Sequence, residues 1–189
     1  GFECVAYDTK AKFTDRRKNP YLTREDMQSV LTKSLQLYQR NHFRKAPKKI
    51  TIHKNTHFTD EEILGALDSF NDRTEIELVQ IIEKTPFIGI KYKDKQPDSF
   101  PVNRGSYLPI SDNEALLWTQ GLVPRISLEN PNYGVYKDYA LKKTPSPIMV
   151  RRFSGSGGWH DTCSGILGLT KMDWNNNTLH KKIPVTLEY

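Results

Sequence analysis

The sequence predicts an α/β domain with parallel strand pairing. Strand-like and helix-like segments alternate from the first residues to about Tyr92. The run 76–83 (IELVQIIE) is apolar enough to read as a strand buried on both faces, as in a parallel sheet. A length of 189 residues, with 37% hydrophobic and 26% charged side chains, suffices to bury a core and argues against wholesale disorder.

Residues 1–8 (GFECVAYD) mix aromatic and β-branched side chains and read as a strand. Residues 15–20 (DRRKNP) are a polar loop. Thr23 can cap a helix, with Asp26 as an imperfect capping-box partner. Met27, Val30, Leu31, Leu35 and Tyr38 then recur at helical spacing, so a helix runs to about Phe43. The stretch 44–49 (RKAPKK) breaks it, and 50–53 makes a short strand. Residues 59–62 (TDEE) form a full capping box ahead of Ile63, Leu64, Leu67 and Phe70, a second helix. The strand 76–83 follows, and 87–92 (FIGIKY) alternates as the next.

Beyond Lys93 the pattern changes. Residues 97–107 and 121–139 are rich in Pro, Asn, Gly and Tyr, which predicts hairpins and long loops. A short strand is expected at 148–153, then a flexible turn at 154–158 (SGSGG). Asp161 or Thr162 can cap a third helix through Ile166, Leu167 and Leu169 to Met172. Ile183, Val185, Leu187 and Tyr189 alternate as a final strand, and no internal repeat is visible. The first and last strands read as cut, so the expectation is a fragment of a longer protein.

Charge is uneven along the chain. Residues 1–55 carry a balance of +8, residues 56–135 of −6, and residues 136–189 of +4, within a net +6. Polyanion contact, if any, is therefore local, and the bland reading is a solvated surface with uneven lysine usage. Two cysteines, Cys4 and Cys163, cannot make a disulfide scaffold or by themselves a four-ligand zinc site. They read as reduced, buried thiols, which with the lack of a signal-peptide pattern gives a cytoplasmic expectation. No apolar run approaches a membrane span, so no membrane partner is expected.

Three segments resemble the Argonaute/PIWI family, particularly its prokaryotic members. Residues 101–107 (PVNRGSY) are similar to a family hairpin. Residues 169–176 (LTKMDWNN) are similar to its LTKMNWNN segment, the most specific of the three. Residues 183–189 (IPVTLEY) are similar to the strand that follows. The resemblance spans nearly the whole chain and implies the later part of a PIWI domain. That is an RNase H-like fold, a mixed sheet flanked by helices, starting at about the third strand, without the preceding guide 5′-end pocket domain. It divides the chain into an RNase H-like part, 1–92, and a part with hairpins, helix and final strand, 93–189.

Catalytic members of the family hold two divalent cations, magnesium or manganese, with four side chains, mostly carboxylates. By resemblance, Asn55 occupies the third of these positions, and the glutamate position falls near Tyr21. An amide is neutral and cannot supply the missing charge. Glu25, the nearest carboxylate, has a bland role in the first helical turn, where it favours the helix dipole. The other two positions would lie before Gly1 and beyond Tyr189. The expectation is no catalytic residue, no metal site and no cofactor in this chain. Magnesium or manganese enters only under the alternative of an active endonuclease completed by residues outside it.

What remains is recognition of a phosphate backbone. The resemblance points to Thr170, Lys171, Asn175 and Asn176 as guide-strand contacts; the bland alternative is that the asparagines cap a helix and form a turn. Lys142, Lys143, Arg151 and Arg152 are further candidates, with Arg151 and Arg152 on opposite faces of a strand. Arg104 either contacts backbone or braces its loop. The cations at 44–49 read as a solvated loop. Implied partners are guide and target nucleic acid, RNA or DNA, the remainder of an Argonaute-like protein, and an effector protein. A third reading is a scaffold for protein contacts alone.

Other catalytic patterns are weaker. His53 and His57 straddle a strand end rather than one helix face, unlike a zinc-binding pair. His160 near Cys163 lacks an orienting third group. The glycine-rich turn at 154–158 lacks the Lys and Ser/Thr of a phosphate-binding loop.

Overall fold

The computed structural model describes residues 13–14, 19–70, 74–98, 100–123, 144–172 and 181–188. The strand expected at 1–8 lies outside them. In chain order the elements are β1 (Phe13–Thr14), β2 (Pro20–Tyr21), α1 (Arg24–Asn41), β3 (Lys49–Lys54), α2 (Asp60–Asp68), β4 (Glu75–Ile82), β5 (Tyr92–Lys93), β6 (Gln96–Pro97), β7 (Tyr107–Pro109), β8 (Glu114–Leu117), β9 (Ile148–Ser154) and α3 (Trp159–Leu169), then a 3₁₀ turn at Val185–Leu187. Five strands form a mixed sheet in the order β3-β4-β9-β8-β7, so the fold is α/β as the sequence predicts. The chain divides into two compact units, residues 1–79 with 153–155, and residues 80–152 with 156–189.

In the first unit, both helices begin where their caps place them. Thr23 Oγ1 accepts from the Asp26 amide at 3.2 Å. Thr59 Oγ1 accepts from the Glu62 amide while Glu62 returns a bond to the Thr59 amide, the reciprocal box that satisfies two orphan donors of α2. α1 ends at Asn41 because Phe43 and Arg44 take positive φ values of 52° and 60°, turning the chain out of the helix ahead of Pro47. Met27 and Leu31 of α1, Phe58, Ala66 of α2, and Ile76 and Leu78 of β4 form the core, with Ile52, Ile63 and Phe153 packed against it. The two helices approach closely at Gly65, where an added Cβ would lie 2.5 Å from the Arg24 carbonyl oxygen. β4 is buried along its middle as expected, and the burial takes in two polar residues, Glu77 and Gln80.

In the second unit, β8 is the middle of an antiparallel trio. Leu108 and Met149 both register on Leu116, and Glu114 registers on Arg151. Ala115, Leu116, Leu117, Ile148 and Val150 are buried, as are Cys163 and Ile166 of α3.

Three elements differ from the sequence expectation. Residues 87–91 form no ladder; β5 and β6 instead make a two-residue-loop hairpin at Asp94 and Lys95, whose φ values of 50° and 64° suit the twist of such hairpins. Gly89 faces Trp118 and Val102 at close range, where any Cβ would meet the indole at 2.7 Å. The expected final strand is a 3₁₀ turn at Val185–Leu187, entered through Pro184, with Lys181 paired to Glu188. α3 begins at Trp159, capped by Gly158, ahead of the expected Asp161. Among the described residues, no helix is long and apolar enough to cross a membrane.

Candidate nucleic-acid interface

Asn55 follows directly on β3, in an exposed bend. Around this strand end the first unit gathers an ammonium, a phenol and an imidazole. Tyr21 is buried, and its hydroxyl shares a hydrogen bond with His57 Nδ1 at 3.1 Å. Lys54 Nζ lies 4.6 Å from the centre of the Tyr21 ring. The same ammonium sits 2.5 and 2.6 Å from the two oxygens of Glu62, a carboxylate only 1% exposed. Glu62 also accepts from the Leu22 and Thr59 amides. Its charge is thus neutralised and its lone pairs are committed to the start of α2. Two divalent cations need several uncommitted carboxylates. Here the two buried carboxylates among the described residues are already engaged, Glu62 by Lys54 and Glu77 by Lys49 and Thr51. Among the described residues, no three His, Cys, Asp or Glu side chains group as metal ligands. Glu25 is exposed in the first turn of α1, where its charge favours the helix dipole.

Further along β3, alternation puts Lys49, Thr51 and His53 on one face. Glu77 of β4 accepts from Thr51 Oγ1 at 3.2 Å and pairs with Lys49 at 3.0 Å. Burial pushes the His53 imidazole below the usual histidine range, against an opposing pull from the Glu77 carboxylate.

In the second unit, the PVNRGSY segment and the end of α3 are tied together. Arg104 Nη2 donates to Thr170 Oγ1 at 2.7 Å and to the Leu167 carbonyl at 3.0 Å. Thr170 Oγ1 in turn donates to that carbonyl at 2.7 Å, and Thr170 is 2% exposed. Gly105, at φ +89°, lets the hairpin turn against Leu167. Arg104 thus ties its loop to the end of α3. Thr170 is likewise turned inward, while the next residue, Lys171, is exposed at the helix end.

Arg151 and Arg152 diverge as strand alternation requires. Arg151 Nε donates to Glu114 on the neighbouring strand at 2.7 Å. Arg152 Nη2 donates to Thr162 of α3 at 2.8 Å, and its guanidinium lies over the Trp159 ring at 4.3 Å. Lys142, Lys143, Asn175 and Asn176 lie outside the described residues. Cys163 is buried, while His160 is exposed with its ring 6.2 Å from that of Tyr107. Sequence reasoning missed the Lys54–Glu62 pair, the Tyr21–His57 bond and the part played by Trp159. The double role of Glu62 in its capping box left no separate signal, and Trp159 stands beside a glycine turn that read as loop.

No protein-family model matches the sequence, and no curated protein matches it. Solved structures do match. Argonaute from Clostridium butyricum, bound to a guide DNA and a 19-mer target DNA, superposes with a TM-score of 0.65 at 16% identity, covering 88% of this chain and 20% of that one. Aquifex aeolicus Argonaute superposes with a TM-score of 0.60 at 20% identity, covering 90% and 21% respectively. Aa-Ago with externally bound siRNA gives 0.57 at 20% identity, with 90% and 21% covered. The chain therefore spans about a fifth of the length of these Argonaute structures. Its fold is Argonaute/PIWI-like.

Proposed function

We propose that this chain is the guide-contacting PIWI segment of an Argonaute-like protein and that it recognises nucleic acid without cutting it. The observation that carries the reading is the Arg104–Thr170 anchor, which fixes the end of α3 and leaves Lys171 exposed beside it. A cation on a fixed helix end suits a phosphate of a single strand, since phosphate contacts position a strand whatever its sequence. Asn175 and Asn176 follow in the chain, and Lys142 and Lys143 are further candidate contacts on the same backbone. Arg104 and Thr170 act through position rather than by touching the strand. The chemistry at the end of β3 supports the absence of cutting: Asn55 is neutral, Tyr21 is bonded to His57, and Glu62 is held by Lys54. In this reading any cleavage that follows recognition belongs to a separate effector protein, and the full Argonaute-like chain works in the cytoplasm.

The test is binding of a labelled 5′-phosphorylated single strand, as RNA and as DNA, across a salt series with magnesium or manganese present. The expected outcome is binding that weakens steeply with salt, with the strand left intact. No binding by a folded chain would overturn the guide-contacting claim. Metal-dependent cutting would overturn the other half.

A further inference from the structure

We propose that the cavity between the β7–β8 turn and the start of α3 is a stacking site for one unpaired nucleobase. The inference rests on the nucleic-acid reading above. The cavity has a volume of about 410 Å³, and its walls include Ile110, Ser111, Asp112, Arg152, Gly158 and Trp159. That size falls within the roughly 300–1,000 Å³ range of small-ligand sites.

Its walls are fixed by bonds within the second unit. The Arg152 amide donates to the Asn113 carbonyl at 2.8 Å, tying the turn to β9. The Arg152 guanidinium lies 4.3 Å from the centre of the Trp159 ring and donates to Thr162. The guanidinium is thus held over the indole ring. The guanidinium is a rigid plate here rather than a mobile charge. Bases splayed from a single strand stack on such aromatic and guanidinium planes. Ile110, 47% exposed, adds an apolar wall.

The balance of charge selects a base over a phosphate. Arg152 brings one cation to the lining and Asp112 brings one anion, so the two charges offset. A phosphate entering here would meet the Asp112 carboxylate beside a guanidinium already engaged. A base has no net charge and loses nothing by that balance. Asp112 also accepts hydrogen bonds from an exocyclic amino group, as acidic side chains do from cytosine. Ser111 can donate or accept beside it. The site therefore prefers a base with an amino edge, cytosine ahead of uracil.

The test uses the ¹⁵N-labelled chain and follows the Trp159 indole N–H, assigned through Trp159→Phe. Cytidine monophosphate, uridine monophosphate, ribose 5-phosphate and N-acetyltyrosine amide are titrated separately. The expected result is a saturable shift with cytidine monophosphate, a smaller one with uridine monophosphate, and none with ribose 5-phosphate. Arg152→Lys keeps the charge but loses the plane, and weakens binding of cytidine monophosphate about tenfold. An equal response to ribose 5-phosphate would overturn the proposal in favour of an anion seat. A stronger response to the tyrosine amide would overturn it in favour of a protein partner. Oligonucleotide binding without any mononucleotide response overturns the cavity and spares the guide reading. Mononucleotide binding without oligonucleotide binding does the reverse.

Discussion

At the scale of single residues, the buried ionisable groups of β3 and β4 set a pH response. His53 lies on the strand face that also carries Lys49, opposite Glu77 of β4. Burial holds its imidazole below the ordinary histidine value, so the folded chain keeps it neutral where the unfolded chain would protonate it. The unfolded state then binds more protons than the native state as pH falls. Stability is fully present above about pH 6.5, the unperturbed histidine value, and is lost as pH falls from there toward the folded value. Thermal unfolding followed by circular dichroism should show a midpoint that drops below that pH. His53→Gln, neutral at every pH, should flatten the drop. A variant that keeps the full pH slope would show that another group titrates. None of this was legible in the sequence. His53 sits next to nothing acidic in the chain, and its neighbour Glu77 is on another strand.

At the scale of elements, what the sequence made legible is what is local. Thr23, Thr59 and Glu62 begin their helices because capping needs only residues within one turn. The apolar run of β4 shows its burial on both faces directly. Contacts between distant segments leave no such trace: Arg104 meets Thr170 across 66 positions. The alternation of 183–189 misled because a strand needs a partner as well as a pattern, and here the chain closes on itself as a 3₁₀ turn. Glycines show how packing overrides propensity. Gly65 lies in α2 against the first turn of α1, where a Cβ would come 2.5 Å from a carbonyl oxygen and 2.9 Å from Met27 Cβ. Gly165 lies in α3 with nothing within 4 Å of the same position. Alanine is favoured over glycine in a helix by about 1 kcal/mol. Gly165→Ala should therefore stabilise by up to that amount. Gly65→Ala should destabilise by about 1–3 kcal/mol, because the helices must part. Urea midpoints of both variants decide it; a shift in the same direction for both would refute the close approach of α1 and α2.

At the scale of the whole molecule, the proposed guide contact requires nucleic acid to be met at one place rather than by diffuse charge. The net charge is +6, and its densest basic stretch is 1–55, which includes the exposed Lys45. The guide-contacting reading instead puts weight on Lys171, in the less basic last third of the chain. The sequence could name that residue only through the family-like LTKMDWNN segment, since composition alone favours the first third. The two sites separate cleanly by experiment. Lys45→Ala and Lys171→Ala remove the same unit of charge, so any effect of overall charge is equal in both. A phosphate contact on a single strand contributes about 0.7 to the slope of log affinity against log salt. Lys171→Ala should lower the measured slope by about that amount and weaken binding at low salt, while Lys45→Ala leaves the slope unchanged. Equal losses in the two variants would mean that attraction is spread over the surface, and the fixed end of α3 would lose its claim as a guide contact. A loss confined to Lys171 would tie recognition to the residue that the Arg104–Thr170 anchor holds at the end of α3.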